Sequence, residues 1–278
     1  MPIVNMQATA VANEMYEAAC RSRGRPRAYL GMSSIGNPCE LAVWYGFRGY
    51  TPKPAEGRAM MIFDLGSRVE DAVIHWLELA GYRIEGRQDT FSDFGGFFCG
   101  HCDGIIHGVT QRPHILEIKS ANDKKFEAFK RSGVGEVYPE YAAQIQCYMG
   151  YAGLERALWV IMNKNTCEIY TERAYFNPDE FARLKAKAER IITAQDKQSL
   201  VTDTTRCRWC SFAGFCHGGG VQTARSCTSC AFFSLKGLTP RCTFTEHPYE
   251  IKDRSLCCGD YLFLEEYDFF KHYSCMAQ

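Results

Sequence analysis

This chain has no long apolar run, no net charge and no repeated segment. Its apolar stretches fall well short of the ~18 residues that span a bilayer, which argues against a membrane helix. Thirty-two basic residues balance thirty-two acidic ones. Global attraction to a polyanion is therefore missing, and any hold on nucleic acid must come from local patches or bound metal. Residues 1–20 lack a basic start followed by an apolar core, because Asn5 and Glu14 interrupt them. They do not read as a signal peptide, and a cytoplasmic protein is expected. The missing repeat excludes a solenoid.

What is present suits a globular protein with a real core. A length of 278 residues, 46% hydrophobic and 13% aromatic, allows one large domain or a domain with an appendage. Fifteen cysteines are many for a reducing compartment, where clustered thiols suggest metal sites, not disulfides. They crowd between Cys207 and Cys258. The basic stretch 21–27 reads as a solvated arm or as one that contacts phosphate.

Periodicity predicts a helix from Leu65 to Ala80, with Val69, Val73, Trp76, Leu77 and Ala80 on its apolar stripe. Strands are expected at 97–107 and 114–120 around a Gly108–Pro113 turn, and a helix at 139–150. A strand hairpin turns at Lys164-Asn165, and a charged helix runs from Pro178 to Asp196. The expected fold class is α/β, a mixed central sheet flanked by helices.

The run Ile115-Leu116-Glu117-Ile118-Lys119 carries the most chemistry. Strand alternation puts Glu117 and Lys119 on one face. A hairpin pairing Asp103 with Glu117 or Lys119 adds Asp103 to that face, whereas a one-residue slip removes it. Carboxylates with a backbone carbonyl suit Mg²⁺ or Mn²⁺, which polarise a phosphodiester and lower the pKa of bound water. A lysine beside them orients that water or offsets charge on the phosphate. Gln144 and Tyr148 are four apart on one helix face. Glu70 borders the stripe of the first helix, with Asp71 and His75 as rivals.

In order, Gly66-x3-Glu70, Gly100-His101-Cys102-Asp103-Gly104, Glu117-Ile118-Lys119 and Gln144-x3-Tyr148 resemble the motifs of the PD-(D/E)xK nucleases of the RecB type. The resemblance covers about residues 60–150 directly. It implies a restriction-endonuclease-like core, with Glu70, Asp103, Glu117 and the Ile118 carbonyl holding Mg²⁺ or Mn²⁺. It implies Lys119 as the catalytic lysine, with Gln144 and Tyr148 contacting substrate or bracing the site.

Cys207-x2-Cys210-x5-Cys216 is a thiolate trio without a fourth member, and Cys39 is the best candidate to complete it. One cysteine before the core and three after it resemble the iron–sulfur subgroup of the same nucleases, the AddB-type and CRISPR-associated RecB-like exonucleases, and imply a [4Fe–4S] cluster. Zinc in the same thiolates is the alternative. Cys227-x2-Cys230, Cys242 and Cys258 suit tetrahedral zinc, with His247 able to replace one ligand and Cys257 as a neighbour. The tail resembles cysteine-bearing extensions of phage-encoded members. Cys99, Cys102, Cys20, Cys147, Cys167 and Cys275 read as core thiols.

Lys124, Lys125, Lys130 and Arg131, interleaved with Phe126 and Phe129, suggest a DNA-contacting segment or an amphipathic helix with a solvated basic face. Arg206 and Arg208 are weaker candidates. The expected organisation is an N-terminal segment (1–60), a nuclease core (61–200), an iron–sulfur segment (201–220) and a zinc-binding tail (221–278). The expected activity is a metal-dependent DNA exonuclease in recombination, repair or DNA processing, partnered by DNA and by a processing protein, with oligomers allowed. A DNA-binding module without useful cleavage, or a CRISPR adaptation nuclease, is the alternative.

Overall fold

The β-branched run around Glu117 forms the central strand of the larger sheet. In the computed structural model, which describes residues 9–22, 27–50, 57–195, 197–217, 225–244, 249–254 and 258–262, it spans His114–Ala121 and is buried along most of its length. The strands in chain order are β1 (Leu30–Gly31), β2 (Arg83–Glu85), β3 (Thr90–Asp93), β4 (Phe98–His101), β5 (Gly104–His107), β6 (His114–Ala121), β7 (Arg156–Asn163), β8 (Ile169–Tyr175), β9 (Phe233–Lys236), β10 (Thr239–Cys242) and β11 (Tyr249–Glu250). The helices are α1 (Thr9–Arg21), α2 (Glu40–Phe47), α3 (Gly57–Leu79), α4 (Asp123–Ser132), α5 (Val134–Val137), α6 (Pro139–Ala152), α7 (Pro178–Thr193) and α8 (Ala213–Cys216).

The main sheet has the order β2-β5-β6-β7-β8. Only β6 and β7 pair in parallel, and α4, α5 and α6 lie in the crossover between them. Opposite faces of β6 enter different cores. Leu116 and Ile118 pack with Val69, Val73 and Ile74 of α3. Ile115 and Ala121 join Phe126, Phe129, Ile145 and Leu184 in the larger core beneath α4, α6 and α7. The mixed α/β architecture expected from periodicity is present. Among the described residues no helix is long and apolar enough to cross a membrane.

Three expectations need correction. The strand read across 97–107 is broken at Cys102–Asp103: β4 joins a separate sheet, order β1-β4-β3, while β5 stays in the main one. The Asp103 carboxylate takes the Ile118 N–H at 2.6 Å where the β5–β6 ladder ends, so a side chain replaces a backbone partner at the break. The first helix starts at Gly57, not Leu65. Its buried stripe includes Ile74, while Trp76 is half exposed. The core also extends into the C-terminal segment, where Phe233, Cys242 and Ile251 join the cluster containing Trp44 and Phe97.

Candidate active site

Antiparallel register places Asp103 opposite Glu117. Gly104 pairs with Leu116 and Ile105 with Ile115, so Asp103, one residue before the first pair, falls across from Glu117. Lys119 follows on the same face by alternation. Its Nζ donates to Glu117 Oε1. The other carboxylate oxygen, Glu117 Oε2, is buried and has no hydrogen-bond partner among the described residues. Trp159 is the register partner of Glu117 on β7 and is itself buried.

Electrostatics follow from that crowding. Burial and the neighbouring Glu117 carboxylate push Asp103 up to about 7, against the pull of Lys119 and the Ile118 N–H. Burial also raises Glu117, with Lys119 opposing it. Burial alone would lower Lys119, but Glu117 and Asp103 together outweigh it and hold the ammonium above its usual range. A buried acidic pair with one orphaned oxygen is a place where a cation lowers the energy.

Glu70 lies on α3, in the layer against the opposite face of β6. Gln88 donates to its Oε1 at 2.7 Å. Burial and then the charge of Asp103 raise the Glu70 carboxyl, and Glu117 feels Glu70 in turn. The rivals are placed differently: Asp71 pairs with Arg87 at 2.7 Å on the surface, and His75 is exposed. Gly66 meets nothing within 4 Å of a built Cβ, so sterics do not require glycine there.

Gln144 Nε2 donates to the Tyr148 hydroxyl at 2.9 Å, and both side chains are buried. Burial, then Glu117, raises the Tyr148 phenol. Gly100 lies under that ring: a Cβ would stand 2.6 Å from Tyr148 Cε1 and 2.8 Å from Met32 Sδ. A side chain at Gly100 would therefore displace the tyrosine that braces the acidic face.

Two contributors escaped the sequence reading. Gln88 holds Glu70 from a loop residue at φ 58°. Tyr141 presents its ring 5.1 Å from Lys119 Nζ. Neither carries a local motif.

The four basic residues read as one DNA-contacting segment are divided by α4. Lys125 is half-buried, with Nζ 3.7 Å from the Tyr138 ring centre and 3.3 Å from the Tyr141 hydroxyl. Lys130 instead pairs with Glu127 and Glu168. Lys124 and Arg131 are exposed. Phe126 and Phe129 are fully buried and cannot stack on bases, because they form the apolar stripe of the helix. Within the basic stretch at 21–27, residues 23–26 lie outside the described residues.

Cys39, Cys207, Cys210 and Cys216 line one cavity of about 420 Å³. A polar network anchored on the buried Glu40, with Arg190 at the surface, lies beside Cys39. Glu40 starts α2 immediately after Cys39, and Arg190 grips its carboxylate with two nitrogens. Glu40 Oε2 also accepts the Val201 N–H at 3.2 Å, and the Glu40 N–H donates to the Val201 carbonyl at 2.9 Å. Asn37 Oδ1 accepts the Cys39 N–H at 3.0 Å, while Lys187 donates to the Asn37 carbonyl. The segment holding Cys207 is thereby drawn to the start of α2.

Cys227, Cys230, Cys242 and Cys258 line a second cavity, of about 360 Å³. The Cys230 N–H donates to the Cys227 carbonyl at 3.1 Å, closing a tight turn, and Cys242 ends the β9–β10 hairpin. Arg48 lies beside this group, 3% exposed, with Nη2 3.3 Å from the Cys230 carbonyl and its Nε without a partner. The groups whose negative charge would favour its guanidinium are Tyr50, Cys230 and Tyr261, with no carboxylate among them. Cys257 and His247 lie outside the described residues.

Among the described residues, no three His, Cys, Asp or Glu side chains are drawn together tightly enough to hold a metal ion. For the acidic face the reason is visible. Glu117 has turned to Lys119, Asp103 to the Ile118 N–H and Glu70 to Gln88, so each carboxylate spends an oxygen on protein. The donor chemistry still fits a hard cation, through the orphaned Glu117 oxygen, and both thiol sets fit a soft metal by type and number.

Of the remaining thiols, Cys99 and Cys102 are buried and donate to the Gly96 and Gly86 carbonyls at 3.2 and 3.9 Å. Burial pushes Cys102 and Cys147 up to about 12, which keeps them protonated. Cys20 and Cys167 are exposed and are not core thiols, and Cys275 lies outside the described residues.

The fold and site together define a mixed α/β chain in which Glu117 and Lys119 of the middle strand lie beside Asp103 from the segment before β5. No protein-family model and no curated protein matches the chain. Among solved structures it is similar to an alkaline exonuclease from Laribacter hongkongensis, at 15% identity and TM-score 0.41, covering 64% of this chain and 90% of that one. It is also similar to SSO0001, at 16% identity and TM-score 0.45, covering 76% and 98%. A third is a phage-related exonuclease from Haemophilus somnus, at 16% identity and TM-score 0.35, covering 59% and 91%.

Proposed function

We propose that this chain is a metal-dependent nuclease that hydrolyses phosphodiester bonds at DNA ends. The observation that carries the reading is the convergence of Asp103, Glu117 and Lys119 on one face, with Glu117 Oε2 buried and unpartnered. Asp103 and Glu117 would hold Mg²⁺ or Mn²⁺, with Glu70 and the Ile118 carbonyl completing the set. The bound ion supplies charge neutralisation at the phosphate and lowers the pKa of its water.

The chain's own residues do the rest. Lys119 would orient the attacking water or donate to a phosphate oxygen and offset developing charge. Asp103 and Glu117 repel each other and attract a cation. Gln144 and Tyr148 would brace the face from α6.

The cysteine sets belong to the same proposal. Four thiolates from Cys39, Cys207, Cys210 and Cys216 would hold a [4Fe–4S] cluster that staples the start of α2 to the segment after α7. Cys227, Cys230, Cys242 and Cys258 would hold zinc, and the buried Arg48 guanidinium supplies the positive charge that a four-thiolate centre calls for.

The test is to incubate end-labelled single- and double-stranded DNA with Mn²⁺ and compare wild type with Glu117→Ala. Cleavage by wild type and its loss in the variant are expected. Cleavage that persists in the variant would remove the assigned site.

A further inference from the structure

Lys125 makes no ion pair among the described residues, and its ammonium lies against aromatic groups: the Tyr138, Tyr141 and Phe129 rings and the Tyr141 hydroxyl. An ammonium held over π faces keeps its capacity for an anion. It lies close enough to Lys119 for the two charges to interact, so this group borders the acidic face. Tyr138 stacks at 4.4 Å on Tyr141 yet keeps 38% of its surface exposed.

Tyr138 also lines the cavity of Cys39 and Cys207, and Trp209 lies on the same lining. Trp209 is 79% exposed, more than any other large apolar side chain among the described residues. The Arg208 guanidinium stands 5.7 Å over its ring. Arg206 is already committed to Glu140 at 2.6 Å. Two exposed rings, each beside a cation, thus follow one rim away from Lys119. A chain with zero net charge must draw affinity for a polyanion from such local groups, and exposed ring faces accept unpaired bases, not stacked pairs.

We infer that a single strand of nucleic acid leaves the Asp103–Glu117–Lys119 face along Tyr138 and Trp209, with bases stacked on the two rings and phosphates on Lys125 and Arg208. The inference rests on the nuclease reading for where the strand ends, and on the rim itself for how it is held.

The experiment is fluorescence anisotropy with end-labelled single-stranded and blunt duplex DNA in EDTA, which prevents cleavage. It uses the full chain as wild type, Tyr138→Ala, Trp209→Ala, Tyr138→Phe and Lys125→Gln. Each alanine variant is expected to weaken single-strand binding on the order of 5- to 100-fold, the range for one stacking platform. Duplex affinity should move less than about 2-fold, since paired bases do not use the rings. Tyr138→Phe should bind like wild type, and Lys125→Gln should reduce the salt slope by about 1. Metal analysis of Trp209→Ala must match wild type, because Trp209 lies between Cys207 and Cys210; if metal is lost, Tyr138→Ala alone decides. Unchanged single-strand affinity in Tyr138→Ala overturns the track, as does equal weakening for duplex. Cleavage that survives Glu117→Ala while Tyr138→Ala still weakens binding would remove the assigned catalytic face and leave the track standing.

Discussion

Glu117 places a carboxylate where only Lys119 answers it. Removing the ammonium from the metal-free protein leaves a buried charge, so Lys119→Met in EDTA should lower stability by roughly 3 kcal/mol. Adding Glu117→Gln should recover part of that loss, because the uncompensated charge is gone. Urea denaturation of the two singles and the double measures the coupling, and strictly additive losses would contradict the pairing. At this scale the sequence showed much of the centre. A period of two and a short turn left few registers, and one of them set Asp103 against Glu117. Gln88 was not legible, because its bond to Glu70 spans 18 residues and depends on a loop with positive φ. The division of the basic segment was hidden too: whether a lysine faces the site or a distant glutamate depends on how α4 is rotated on the core.

Helix α2 is held at its first residue. Burial alone would raise the Glu40 carboxyl, but the Arg190 guanidinium and the Val201 N–H hold it below the usual range. A carboxyl whose folded pKa is depressed contributes stability above its unfolded pKa and loses it as pH falls through the folded value. Wild type should therefore lose stability on acidification below about pH 4.5, and Glu40→Gln should lack that component. At neutral pH the variant should be less stable by roughly 1–3 kcal/mol. Thermal melts of both proteins from pH 7 to 3 check this, and parallel curves would contradict it. Element identity came through well where one rule dominated: the α6 helix with Pro139 in its first turn, and the β7–β8 hairpin at Lys164-Asn165. The break between β4 and β5 did not, because residues 97–107 carry no proline and only the rest of the fold shows that β4 belongs beside β1.

Across the whole molecule, contacts between distant segments decide the layout. Cys39 and Cys207 line one cavity, and Lys187 and Arg190 of α7 reach Asn37 and Glu40 beside Cys39 across 150 residues. Phe233 packs on Phe97, and Arg48 lies over both Phe233 and Trp44, so the C-terminal segment rests on the main core. Such closures leave no periodic trace, and the sequence pointed to them only through cysteine spacing and a family resemblance. Anaerobic purification should yield iron that Cys207→Ala removes and zinc that Cys230→Ala removes, each variant keeping the other metal. Metal-free wild type, with an unaffected fold in both variants, would contradict both thiolate centres.

On the proposed reading, Asp103 and Glu117 act as one centre beside Lys119. Single-turnover cleavage of end-labelled DNA with Mn²⁺, by wild type, Asp103→Asn, Glu117→Ala and the double variant, tests it directly. Groups that act as a unit lose their effect together, so the double variant should be no slower than the worse single. Losses that multiply, or cleavage that persists at the wild-type rate in either single variant, would contradict it.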